Sequence, residues 1–194
     1  EKARKEFEKA QREIAEEEQR YMKALEEAKQ QVVTATGNEL DALNEKIKVL
    51  EKQLEETEQK ERAISQAQLT KAGFVYIISN IGSFGDNVYK IGMTRRLEPM
   101  DRVKELGDAS VPFEFDVHAM ISINNAPEFE NTLHRVFNEK RVNMVNDRKE
   151  FFKVTLDEIE EEVKKYGVDY EFTRFAVAKE YRETLNILSN LNSN

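Results

Sequence analysis

The chain contains no cysteine. That excludes disulfides and thiolate-bound zinc together, and it fits a reducing compartment. Its 194 residues hold no long apolar run of the kind that spans a bilayer and no signal-peptide pattern, so the expected location is the cytoplasm. The first residue is Glu1, already inside a helical pattern. The sequence therefore reads as part of a longer chain, in which an upstream segment would be the route to any membrane association. Apolar content is low as well. With 35% charged residues and a mean hydropathy of -0.71, part of the chain is expected as exposed helix with little core. The length allows one medium domain with an extension, or two small ones.

The net charge of -8 is unevenly spread. Residues 1–70 hold 13 Lys+Arg against 17 Asp+Glu, residues 71–153 hold 12 of each, and residues 154–194 hold 5 against 9. The middle segment is thus neutral, and it keeps Lys90, Arg95, Arg96, Arg102 and Lys104 close in sequence. A local basic patch is enough for phosphate contact whatever the net charge.

The first 70 residues form the expected arm. Phe7, Ala10, Ile14, Tyr21, Leu25, Ala28 and Val32 recur at helical spacing, and Leu40, Leu43, Ile47, Leu50 and Leu54 make the cleanest heptad run. Between them TATGNELD offers a break at Gly37, with Thr36 and Glu39 at capping-box spacing or Asn38 as the cap. An antiparallel helical hairpin or coiled coil is expected, with one continuous helix through Gly37 as the rival. Stripes of this length want a partner, so self-association or a protein partner for the arm is expected.

The stretch GFVYIISNIGSFGDNVYKIG, Gly73 to Gly92, organises the rest. It divides into two apolar runs around a turn-rich segment from Asn80 to Asn87, the pattern of a β-hairpin with a longer loop. Each run carries a tyrosine, Tyr76 and Tyr89, expected to converge on one patch. Pro99 suits the first turn of a following helix and Gly107 its stop. A third strand is expected in 112–123, with Phe113, Phe115, Val117, Ala119 and Ile121 on one side and Asp116, His118 and Met120 on the other. Asn125 and Pro127 open a helix from Ala126 to about Lys140, on which Glu130 and His134 share a face. Phe151, Phe152 and Val154 read as core. After them come a helix ended by Gly167, a short strand in VDYEFT, a closing helix over 174–191 and a fraying NSN terminus.

GFVY, VYKIG, DRVKEL, FENTLH and EFF, in that order over Gly73 to Val154, resemble the GIY-YIG nuclease superfamily and its phage-type branch. One departure is that Lys90 puts Tyr89 a place earlier than the superfamily pattern has it. AISQAQLTKAG and the helices before it further resemble the bacterial phage-defence nucleases called SNIPE-like. The resemblance implies an α+β fold, a small mixed β-sheet flanked by helices. It divides the chain into an arm over 1–70, a nuclease module over 71–154 and a helical extension over 155–194.

The activity it implies is metal-dependent hydrolysis of DNA phosphodiesters in antiviral defence. Mg²⁺ or Mn²⁺ is the cofactor and DNA, expected double-stranded, the partner. Glu130 is the implied metal ligand. Arg102 suits the transition-state charge, since a guanidinium holds two phosphate oxygens and stays protonated. Tyr76 and Tyr89 are candidates to orient or deprotonate the attacking water, and His134 to act as general acid or base or to orient the nucleophile. Lys90, Arg95, Arg96 and Lys104 are read as nucleic-acid contacts. Glu150 is read as structural support, His118 as a lone strand histidine, and Asn143 or Asn146 as a phosphate contact. No zinc finger or base-reading helix is evident, so DNA shape, DNA ends and RNA stay open as determinants. The alternative is a non-catalytic nucleic-acid-binding or adaptor module on a coiled-coil scaffold.

Overall fold

A computed structural model of the chain describes residues 2–192. Ser193 and Asn194, for which fraying was expected, lie outside the described residues, as do the side chains of Ala109 and Ser110. The chain divides into two compact units after Leu69.

The first unit is a helical hairpin. Helices α1 (Lys2–Val32) and α2 (Asn38–Leu69) run antiparallel: Lys29 pairs with Glu51 at 3.3 Å near the turn, and Gln11 donates to Gln68 at 3.2 Å far from it. The continuous-helix alternative fails at Gly37, whose φ of +60° breaks the helix in a conformation that glycine adopts without a Cβ penalty. The Gly37 carbonyl accepts the Asp41 N–H at 3.2 Å, so Gly37 itself holds the cap position rather than Thr36 or Asn38. Phe7, Ile14, Ala28 and Leu50 are buried. Leu40, Leu43, Ile47 and Leu54 of the heptad run are only half-buried, because two helices alone cannot enclose a full stripe.

The second unit is α+β. Strands β1 (Gly73–Ser79), β2 (Val88–Thr94), β3 (Asp116–Ile123) and β4 (Phe151–Lys153) form one sheet in the order β3-β1-β2-β4. All three pairings are antiparallel, whereas a mixed sheet was expected. Alternation sorts the side chains onto two faces. Val75, Ile77, Tyr89 and Ile91 meet Phe129, Leu133 and Phe137 of α5 (Ala126–Val136) and its end, and Ile159 and Val163 of α6 (Leu156–Lys164). On the other face, Tyr76 and Ile78 meet Val103 of α4 (Pro99–Ser110).

Several local expectations change. The hairpin loop contains the short helix α3 (Ile81–Phe84), with Asn80 accepting the Ser83 N–H at its start. Helix α4 runs past Gly107 and ends at Val111 in an extended conformation, the one favoured before Pro112. In β3 the register with β1 shifts, Ile77 facing Ala119 and Ile78 facing Val117. His118 is the extra residue of this bulge, so Val117 turns to the α4 face while Ala119 and Ile121 stay on the other. VDYEFT forms no strand. It lies beside β3 through a backbone bond from Thr173 N–H to the His118 carbonyl at 2.7 Å. The closing helix α7 starts at Lys179 rather than Arg174, where Asp116 accepts the Val177 and Ala178 N–H groups at 3.1 Å.

Tyr76 faces Gly92 across the β1–β2 ladder, and a Cβ on residue 92 would come within 2.6 Å of the Tyr76 ring carbon Cζ. Gly92→Ala is therefore expected to cost about 1–3 kcal/mol by overpacking a buried ring, read as a lower urea midpoint. An unchanged midpoint would show that the ring has room to move.

Candidate functional site

The site forms where β4 ends. Three residues of β4 pair with β2 as far as Lys90, and beyond that point the outer edge of β2 needs other partners. The Ile91 N–H donates to the Glu150 backbone carbonyl at 3.2 Å. His134 lies 2.8 Å from the Ile91 carbonyl through Nε2, and Glu130 accepts the Met93 N–H. Helix α5 carries both side chains, four residues apart, and its N-cap Asn125 accepts the Glu128 N–H as the expected Asn125-Pro127 opening requires.

A carbonyl can only accept, so the Nε2 of His134 facing it carries the proton and Nδ1 offers the lone pair. Burial lowers its pKa and keeps the ring neutral. One ligand atom each from Glu130, His134 and Glu150 lies within 4.8 Å of the others. Two carboxylates and a neutral imidazole suit a divalent cation.

Lys90 completes this cluster. Its ammonium is 7% exposed as a residue, lies 2.7 Å from Glu150 Oε2, and sits 5.3 Å from the Phe151 ring centroid. The Glu130 carboxyl is pushed up to about 7, chiefly by burial and then by the Glu150 charge. Tyr76 approaches from the α4 face, 2% exposed. Burial pushes its phenol up to about 12; Arg102 opposes the rise by charge and hydrogen bond, and Glu150 and Glu130 add to it. An arginine only donates, so the phenol oxygen accepts from Arg102 and its O–H remains to be donated. A groove of about 820 Å³ reaches His134 and Glu150, with Lys71, Arg135, Arg141 and Arg148 on its walls alongside Glu128 and Asp147.

Tyr76, Arg102, Glu130 and His134 thus come together, and Tyr89 does not. Tyr89 packs in the core of the opposite face with its ring edge-on to His118 at 5.2 Å. Odd and even positions of a strand point to opposite faces, so the expected convergence of the two tyrosines fails. Lys90 is in the site and held by Glu150 rather than on an open surface. Arg96 is 7% exposed and gives two bonds of 2.8 Å to Glu105. Arg95 donates to the Thr70 carbonyl at 2.6 Å, while Lys104 is exposed on α4.

His118 is structural. Its two nitrogens engage Ser79 Oγ at 2.7 Å and the Thr173 carbonyl at 2.6 Å. Asn143 and Asn146 both organise the loop before β4, accepting backbone N–H groups of residues 145, 146 and 148. Glu150 joins the site although the sequence pointed to a supporting role. Its signal was Lys90, a lone charge in an apolar strand, which needs a buried carboxylate partner.

Residues 73–167 match the family model of the T5orf172 domain. The match starts at the first residue of β1 and ends at Gly167 just past α6, so it takes in the whole sheet and every residue of the cluster. The T5orf172 domain is phage-associated and occurs in nuclease contexts, compatible with a nuclease-like, nucleic-acid-related role. No curated protein and no solved structure matches the chain. Among the described residues no helix is long and apolar enough to cross a membrane.

The Glu130 shift has a consequence for stability. Between its ordinary 4.5 and about 7 the folded chain keeps a proton that the unfolded chain has lost, so stability falls as pH rises through that window and stays lower above it. Partial exposure screens the effect below its full size. In chelator, the urea midpoint is expected to fall between about pH 5 and pH 8, and Glu130→Gln to flatten that fall. An equal fall in the variant would assign the proton elsewhere.

Proposed function

We propose that the second unit is a GIY-YIG-type endonuclease that hydrolyses DNA phosphodiester bonds with a divalent cation, Mg²⁺ or Mn²⁺, in bacterial defence against phage. The observation that carries this reading is the convergence of Tyr76 and Arg102 from one face of the sheet with Glu130, His134 and Glu150 at its edge. The T5orf172 match supports the nuclease class. The resemblance of the motifs supports the GIY-YIG type and the defence role.

Phosphodiester hydrolysis requires an activated water, neutralisation of the developing phosphorane charge and a stabilised leaving oxygen. A divalent cation at Glu130 supplies Lewis acidity toward a phosphate oxygen. Arg102 is the half-exposed guanidinium beside Tyr76 and binds the phosphate oxygens. With a pKa near 12, Tyr76 acts through its O–H, orienting the water or a phosphate oxygen, and not as a free base at neutral pH. Neutral His134 has a lone pair on Nδ1 with which to accept a proton. Double-stranded DNA is the proposed substrate, with Lys71, Arg135, Arg141 and Arg148 along the groove as backbone contacts. Self-association through the helical hairpin would present two such sites to opposite strands, in a cytoplasmic enzyme.

The test is nicking of supercoiled plasmid by the full chain with Mg²⁺ or Mn²⁺. Glu130→Ala and Arg102→Ala are each expected to lower the rate about 10²–10³-fold while DNA binding by gel shift is kept. A parent that binds DNA but cleaves with neither metal would replace the enzyme by a binding module.

A further inference from the structure

Three side chains at the edge of β2 hold more ligand capacity than the fold consumes. Glu130 uses one oxygen on the Met93 N–H, and Glu150 uses one on Lys90. His134 uses Nε2 on Ile91. That leaves a second oxygen on each carboxylate and the Nδ1 lone pair, on groups whose ligand atoms lie within 4.8 Å of one another. An ion with N and O ligands at about 2.0–2.2 Å spans roughly 4.3 Å at most, so small rotations of the three side chains close the set.

The histidine decides which ion. Mg²⁺ prefers oxygen and water, whereas imidazole suits Fe²⁺, Ni²⁺ and Zn²⁺. Ligating histidines donate their other ring N–H to a carbonyl or carboxylate, which fixes the tautomer and raises ligand basicity. His134 already has that arrangement, 8% exposed, with the Ile91 carbonyl as its acceptor.

We propose that Glu130, His134 and Glu150 together bind one transition-metal cation of the Fe²⁺–Zn²⁺ class in preference to Mg²⁺, and that Lys90 competes with it for Glu150. This deepens the nuclease reading, which needs only Glu130 as ligand: with the cation on Nδ1, His134 serves as a ligand in place of accepting a proton. The Lys90 ammonium holds Glu150 at the cluster when the site is empty and repels an incoming cation. It therefore sets the affinity from inside the fold.

The sequence holds two histidines, and they serve as internal probes. His118 stands in β3, two strands from β2, with its ring against Tyr89, so its signals are assigned by their contacts with the Tyr89 ring. In a Zn²⁺ titration of the full chain without DNA, the His134 ring signals are expected to shift while those of His118 stay in place. Equal shifts of both, or of neither, overturn the proposal. By calorimetry, Zn²⁺ is expected to bind roughly tenfold or more tighter than Mg²⁺. Glu150→Gln is expected to weaken Zn²⁺ about tenfold, and Lys90→Met to strengthen it about threefold.

Equal affinities for the two metals, or a Glu150→Gln variant that binds Zn²⁺ like the parent, would return the site to a lone carboxylate. Circular dichroism and melting of each variant separate lost ligation from lost fold. Histidine-selective binding without any nicking would sustain this proposal and sink the nuclease. Nicking in Mg²⁺ untouched by Glu150→Gln would do the reverse.

Discussion

The whole site depends on how the outer edge of β2 is satisfied. A strand inside a packed unit cannot leave buried N–H and C=O groups unpaired, and β4 pairs with only part of β2. The deficit is met by side chains: Ile91 and Met93 find partners in His134 and Glu130, and the backbone of Glu150 takes the last N–H. The same requirement that stabilises the edge therefore draws two carboxylates and an imidazole to one spot. A β4 three residues longer would pair Ile91 and Met93 through its backbone, and α5 would have no reason to send polar side chains there.

Electrostatics then separates two kinds of cation in the same short stretch of chain. Arg96 is buried and bound to Glu105 through two bonds, a geometry that ties the middle of α4 to the loop after β2. Arg102, one turn into α4, lies 3.7 Å from the same carboxylate and stays half exposed, with Tyr76 as its other partner. The buried arginine holds the scaffold and the half-exposed one remains available to an anion. A guanidinium suits the second task because it stays charged in any partly buried setting. Lysine at position 90 suits the first shell of the carboxylate pair, since its single ammonium can give way to another point charge.

Much of this was legible in the sequence, for reasons that differ by residue. The helical hairpin followed from periodicity and Gly37, and the order of β1, β2, α4, β3 and α5 from alternating runs and their Pro and Asn starts. Glu130 and His134 were legible as a pair because helical spacing is local. Tyr89 was misplaced because the strand's parity had to be anchored by the core, and the apolar set Tyr89 and Ile91 competes with Val88 and Lys90 for the inward direction. The bulge at His118 was invisible for a related reason: both faces of β3 are partly apolar, so alternation there does not fix register. Glu150 was missed because its meaning depends on β4 starting only after it and pairing with β2, a tertiary fact.

Lys90 departs from the GIY-YIG pattern that the motifs resemble and looks at first like a lost catalytic position, yet its surroundings argue otherwise. Here the lysine compensates one of two carboxylates and leaves the other short of positive charge, with a carboxyl held near neutrality by burial. A purely structural ion pair needs one acid, not two acids and an imidazole, and replacing such a pair by apolar residues is often neutral or stabilising. The second oxygen of each carboxylate and the Nδ1 lone pair of His134 are the part that the edge of β2 leaves unused, and a cation is what would use them.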